Sequence, residues 1–147
     1  MTQYLPFQDT PVPVSRSLGE IAGHLEGAGF GDFIQGKVDG EFTIAAKYGK
    51  LTFRWSANVM TIVAALQKQR QRGYLSSDEV KPKAERIAWR IVAAQVKSAC
   101  DIIKYDVASV TTVFAGNLIG NDGQSFGDRL AHAAVNGELN DFKLLGM

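Results

Sequence analysis

The stretch 41–55 constrains the fold more than any other part of the chain. Phe42, Ile44, Ala46 and Tyr48 alternate with Glu41, Thr43, Ala45 and Lys47; after Gly49-Lys50 the pattern resumes, with Leu51, Phe53 and Trp55 set against Thr52, Arg54 and Ser56. A period of two places successive side chains on opposite faces of a strand, so these residues describe a sheet with one apolar and one wetted face. Asp39-Gly40 is a pair favoured in two-residue type I′ turns, and it joins Asp32 to Val38 onto the front of this segment. The result is a three-stranded antiparallel meander. So small a sheet needs helices on its apolar face, and the expected fold class is α+β.

Helical signals surround the meander. Leu18, Ile21, Ala22 and Leu25 share one helical face. Ser17 and Glu20 have capping-box spacing, and Gly27 with Gly29 supplies a stop, which predicts a helix over 18–27. Ahead of it, Pro6, Pro11 and Pro13 predict an extended arm over 1–14, ending in a short extended piece from Val12 to Val14. Residues 58–72 read as a helix on the stripe Val59, Ile62, Val63 and Leu66, closed by Gly73; the β-branched run leaves a fourth strand over 59–66 as the alternative.

Tyr74 to Lys81 reads as a polar connector. Pro82 suits the first turn of the longest helix, which runs to Lys104 with Ile87, Ile91, Gln95, Ser98 and Ile102 near one line. Ser109 can cap a short helix carrying Val110, Val113 and Phe114, 120–123 form a turn, and Ser125 with Asp128 starts a last helix that ends at Asn136-Gly137. Leu139, Phe142, Leu144 and Leu145 give the tail, 138–147, an apolar patch. The core is expected to join Leu18, Ile21 and Leu25 to Phe42, Ile44, Phe53, Trp55, Ile87, Ile91 and Ile102. At 147 residues without internal repeats, the chain fits a single domain.

Composition excludes several classes of protein. With 46% hydrophobic and 21% charged residues the chain is not intrinsically disordered. The stretch Met1 to Thr10 lacks the cationic and apolar regions of a secretory signal, and Val107 to Asn121 is too short and too polar to cross a bilayer. A soluble, cytoplasmic protein is expected. The lone Cys100 cannot form an intrachain disulfide and reads as a small buried side chain within a helix.

Motifs for catalysis or cofactors are not evident. His24 and His132 have no ligand partners at metal spacing. Gly27, Gly29 and Gly31 lead into a strand rather than a helix N-terminus, and no G-K-[ST] follows. Asp122 and Asp128 can be imagined as a carboxylate pair for a hard metal, but they read more simply as a turn residue and a helix N-terminal acid. Ser76, Ser77 and Ser125 lack a nucleophile motif. The expectation is a non-enzyme with no catalytic residues, no metal and no cofactor.

Charge is uneven along the chain. The formal net charge is +1, yet residues 68–104 hold nine cations against four anions, while 105–147 hold two against five. Lys68, Arg70, Arg72, Lys81, Lys83, Arg86 and Arg90 form a central basic band that can meet phosphates. The spacing of Lys83, Arg86 and Arg90 puts them on one helical face. The simpler reading is a solvated face neutralised internally, with Asp128, Glu138 and Asp141 as the expected acids. Tyr48, Phe53 and Trp55 can stack on bases if exposed, but their alternation with polar residues places them under the helices.

Two stretches carry a family pattern. Glu85-Arg86-Ile87-Ala88-Trp89-Arg90 continues through Lys97, Ser109-Val110 and Phe114 to Asp122-Gly123 and Ser125-Phe126-Gly127-Asp128, then Leu130. Upstream, Val12-Pro13-Val14, Glu20-Ile21, Leu25, Gly29, Phe33, Gly36 and Asp39-Gly40 fall in matching places. Over residues 12–130 the chain resembles a family of small uncharacterised proteins from bacteriophages, prophages and other mobile elements. Members carry an E-R-x-x-W-R helix, a D-G turn and a T-V-G-E-W-like ending. The chain departs from it in lacking a proline between Ser56 and Leu66, where the family has L-P-L-P, and in having Thr111-Thr112-Val113 in place of an acidic short helix. The resemblance implies a mobile-element origin and a bacterial host cytoplasm, and it carries no catalytic residues. Two functions are therefore expected: an accessory protein that binds nucleic acid through the basic band, or a protein-binding module such as an inhibitor of a host defence or regulatory protein, or a self-associating structural protein.

Overall fold

The computed structural model describes residues 4–70 and 77–137. Helix α1 (Val14–Gly27) leads into strands β1 (Gly31–Val38), β2 (Glu41–Tyr48) and β3 (Leu51–Trp55). Helices α2 (Val59–Arg70) and α3 (Ser77–Lys104) follow, then the short α4 (Val110–Val113), a 3-10 turn at Ala115–Asn117 and α5 (Phe126–Val135). This is the expected α+β architecture: a helix, a three-stranded antiparallel sheet in the order β1-β2-β3, and a helical C-terminal half.

The meander forms as its alternation requires. Val38 pairs with Glu41 across the first turn, and Asp39 and Gly40 both take positive φ, 53° and 80°, the signature of type I′. Across β2 and β3, Ala46 pairs with Phe53 and Ile44 with Trp55, so the apolar set lies on one face. Ile44, Ala46, Phe53 and Trp55 are buried there, while Phe42 is partly buried at the margin. Phe30, just after α1, sits between Tyr48, Phe53, Trp55 and Phe114, with ring centroids 5.2–5.9 Å away. Trp55 and Phe114 meet at 5.1 Å with perpendicular planes.

Helix α3 serves two apolar clusters. Its first half gives Val80, Ala84 and Ile87 to a cluster with Val59, Val63 and Leu66 of α2. From its middle onward it gives Trp89, Ala93, Val96 and Cys100 to the main core with α1 and the sheet. The line Ile87, Ile91, Gln95, Ser98 and Ile102 is therefore buried only where α2 covers it: Ile87 is enclosed, Ile91 half-buried, and Ile102 exposed at 38%, against the expected core.

Four local readings are corrected. Residues 77–81 belong to α3 and not to a connector, so Pro82 stands inside the helix rather than at its start; Asp78 and Glu79 take the first-turn acidic places. Val14 is helical and α1 begins four residues before Leu18, with Pro13 as its N-cap. Ser17 is consequently interior, fully buried, and caps nothing. The arm is not extended throughout: residues 6–9 form a turn, and Gln8 and Gln69 exchange side-chain amide hydrogen bonds of 2.9 and 3.0 Å in a buried pair that ties it to α2. Residues 59–66 are helical, which settles the strand alternative. Gly73 and the tail patch Leu139, Phe142, Leu144 and Leu145 lie outside the described residues.

The C-terminal half closes the sheet at β3. Ser109 accepts from the Thr112 N–H and Ser125 from the Asp128 N–H, so both expected caps form. Between these helices, the Ile119 N–H donates to the Thr52 carbonyl at 2.9 Å, and Asn117 Nδ2 donates to the Arg54 carbonyl at 3.0 Å. Helix α5 reaches this edge because Gly127 has no side chain: a Cβ there would lie 2.9 Å from the Gly116 carbonyl oxygen. Replacing Gly40 by Val is expected to destabilise the protein by roughly 1 kcal/mol or more, because a β-branched residue fits left-handed geometry poorly. Thermal unfolding of the two proteins checks this.

Candidate interaction surfaces

The basic band divides. On α3, Lys83 and Arg86 line one hollow of about 300 Å³ with Gln8, Asp9, Thr10 and Glu79. Arg90, on the same helical face, turns to α1: it donates to the Glu20 carboxylate, and its Nη1 donates to Ser17 Oγ at 3.3 Å. Glu20 also meets Arg16 at 3.5 Å. The Arg90 hydrogen bond, aided by the charges of Arg90 and Arg16, holds the Glu20 carboxyl below its ordinary range. Lys81 is exposed and points elsewhere, since residues two apart on a helix do not share a face. Lys68 is exposed on α2, Arg70 closes that helix, and Arg72 lies outside the described residues.

Among the described residues, the acids that adjoin the band are others than the expected Asp128. Asp9, Glu20 and Glu79 stand next to these cations. Asp128 is exposed in the first turn of α5, and Glu138 and Asp141 lie outside the described residues. Glu20 was legible only as a capping residue, because its partner lies 70 positions away in sequence. Arg90 is a tertiary contact between α1 and α3 more than a free cation.

Other expected groups are occupied. Asp122 pairs with Arg129 at 2.6 Å and accepts from the Gln124 N–H, which lowers its carboxyl below the usual range. A hollow of about 130 Å³ brings His24, Cys100, Asp101 and Lys104 together against Gly23 and Gly27, a grouping the sequence did not announce. Burial, with Asp101 beside it, pushes the Cys100 thiol up to about 11, so it is neutral at physiological pH. Among the described residues no three of His, Cys, Asp and Glu gather in a metal-holding group, and no helix is long and apolar enough to cross a membrane.

Tyr4, Phe7, Met60 and Val135 are exposed apolar side chains scattered over the arm, α2 and α5, and others fall in two places. Tyr48, Leu51, Ile103 and Val110 line a hollow of about 280 Å³, with Asp106 at its wall. Beside it in sequence, Ile102 is partly exposed and Tyr105 and Val107 are about three-quarters exposed. The second place is β1, where Ile34 is 70% and Val38 60% exposed. Register places Ile34 beside Ala45, and Ala45 beside Arg54, in a row across the wetted face. Tyr105 and Val107 follow α3 out of helical register, and that is the signal in the sequence that could have marked the first patch.

No family model matches the chain, and neither a curated protein nor a solved structure matches it.

Two measurements follow from these contacts. Arg90→Met should cost about 1–2 kcal/mol at neutral pH, since it removes the Arg90 donor from the buried Ser17 hydroxyl and leaves the partly exposed Glu20 carboxylate only Arg16. Because the Glu20 pKa is depressed, the pair stabilises fully above its ordinary value of 4.5 and loses that contribution as pH falls through the lower folded value. The gap between variant and parent in urea unfolding should narrow on acidification. Cys100 should resist thiol reagents in the native protein at mildly alkaline pH and react fully in denaturant, as followed by absorbance.

Proposed function

We propose that the chain is a non-enzymatic protein-binding module, an accessory protein of a bacteriophage or mobile element. The carrying observation is where the apolar surface lies. Tyr105 and Val107 stand in solvent, next in sequence to Asp106 and Ala108, which line a hollow with Tyr48, Leu51 and Ile103, while Lys83, Arg86 and Arg90 adjoin acids. Exposed apolar clusters with aromatic members suit protein partners. The near-neutral net charge provides no long-range pull on phosphate. The mobile-element setting rests on the resemblance carried by the Glu85–Arg90 helix and the Asp122-Gly123 turn. An inhibitor of a host regulatory or defence protein fits this reading.

Nucleic-acid binding is the second reading. It is favoured by Lys83 and Arg86, which make no ion pair with a described residue, and by the exposed Lys68 and Lys81. Two measurements separate the readings. Fluorescence anisotropy with single- and double-stranded oligonucleotides at ~50 mM salt, where multi-phosphate contacts are strong, should show no binding. Capture from a bacterial lysate should recover a partner that Tyr105→Asp and Val107→Asp release. Oligonucleotide binding lost in Lys83→Glu and Arg86→Glu would overturn the protein-binding reading.

A further inference from the structure

We infer that the free edge of β1 pairs with β1 of a second copy of this chain, antiparallel and centred on Gly36. The inference rests on the protein-binding reading and names one partner. Strand β3 has its outer edge capped by Ile119 and Asn117, whereas among the described residues β1 pairs only with β2. The closing pair of a two-residue hairpin exchanges its backbone hydrogen bonds, and alternation along the ladder follows from it. Val38, Gly36 and Ile34 thus bond β2, and the N–H and C=O groups of Gln35 and Lys37 point to the open edge.

Geometry fixes the register. The ladder is irregular between Gly31 and Ile34, and Asp32 stands at φ 52°, which bends the start of β1 away from regular pairing. The Asp39-Gly40 turn bounds the other end. Only Ile34–Val38 is regular, and its middle residue is Gly36. A two-fold axis perpendicular to the sheet keeps the wetted faces on one side, so Gly36 meets Gly36, Ile34 meets Val38, and Gln35 meets Lys37. The two most exposed apolar side chains of the sheet then cover each other on both sides of the axis. Like charges are not opposed: Lys37, seated 4.5 Å over the Phe42 ring, faces the neutral Gln35 amide, whose oxygen can accept from it. An isologous contact requires such self-complementarity.

A single strand pair is a small interface and associates weakly. Light scattering from micromolar to submillimolar concentration should show the mass rising from the 16.0 kDa of one chain towards twice that value. Gln35→Pro removes an outward N–H without touching the bonds to β2, and Ile34→Asp changes an exposed side chain; both should stay at monomer mass with unaltered circular dichroism. If the proline variant unfolds, Ile34→Asp still decides. Gly36→Cys, which has no atom within 4 Å of its new Cβ, should cross-link across the axis under oxidation, and Ile34→Cys much less. A monomer at every concentration, or a dimer that both edge variants retain, would overturn the inference. Either result leaves lysate capture as the separate test of a heterologous partner.

Discussion

Burial of Phe53 and Trp55 is the constraint on which the rest of the molecule depends. They are the largest side chains on a sheet of three strands, and both are almost fully enclosed. Three strands cannot enclose two such rings by themselves. The end of α1 supplies Phe30, the end of α4 supplies Phe114, and the middle of α3 supplies Trp89 and Ala93 to the same cluster. The helices consequently gather on one side of the sheet. Among the described residues nothing covers the other side, which carries the row that contains Ile34.

Helix α3 then meets two demands at once. It must cover the sheet with α1 and also hold α2, and its 28 residues divide the work by turning different sides to each neighbour. Two polar contacts pin the arrangement. Arg90 joins α1 to α3 through Glu20 and Ser17, and the reciprocal Gln8–Gln69 amides join the arm to α2. Each buries polar atoms that would be costly unpaired, so each favours one relative placement of its elements.

The same contacts bear on function. Using Arg90 internally, and setting Asp9 and Glu79 beside Lys83 and Arg86, weakens what looked in the chain like one continuous cationic band. Apolar side chains are left in water at the end of α3 and along β1 among the described residues. A strand edge that is unpaired among the described residues and carries two such side chains invites pairing, whereas the β3 edge is closed by the chain itself.

The sequence by itself determined the local geometry. Alternation over 41–55, the Asp39-Gly40 turn and the Ser109 and Ser125 caps all depend on neighbours a few positions away, and all appear as read. Tertiary structure decided the rest, because the partners are distant. Ser17 and Glu20 satisfy a local capping pattern, yet α1 starts earlier, leaving Ser17 inside and Glu20 free to reach Arg90. Ile102 lies on the line of Ile87, yet α2 covers only the first half of α3 and leaves Ile102 in solvent. Periodicity shows which residues share a face; only packing decides how far along that face a neighbour extends, and which charges it neutralises.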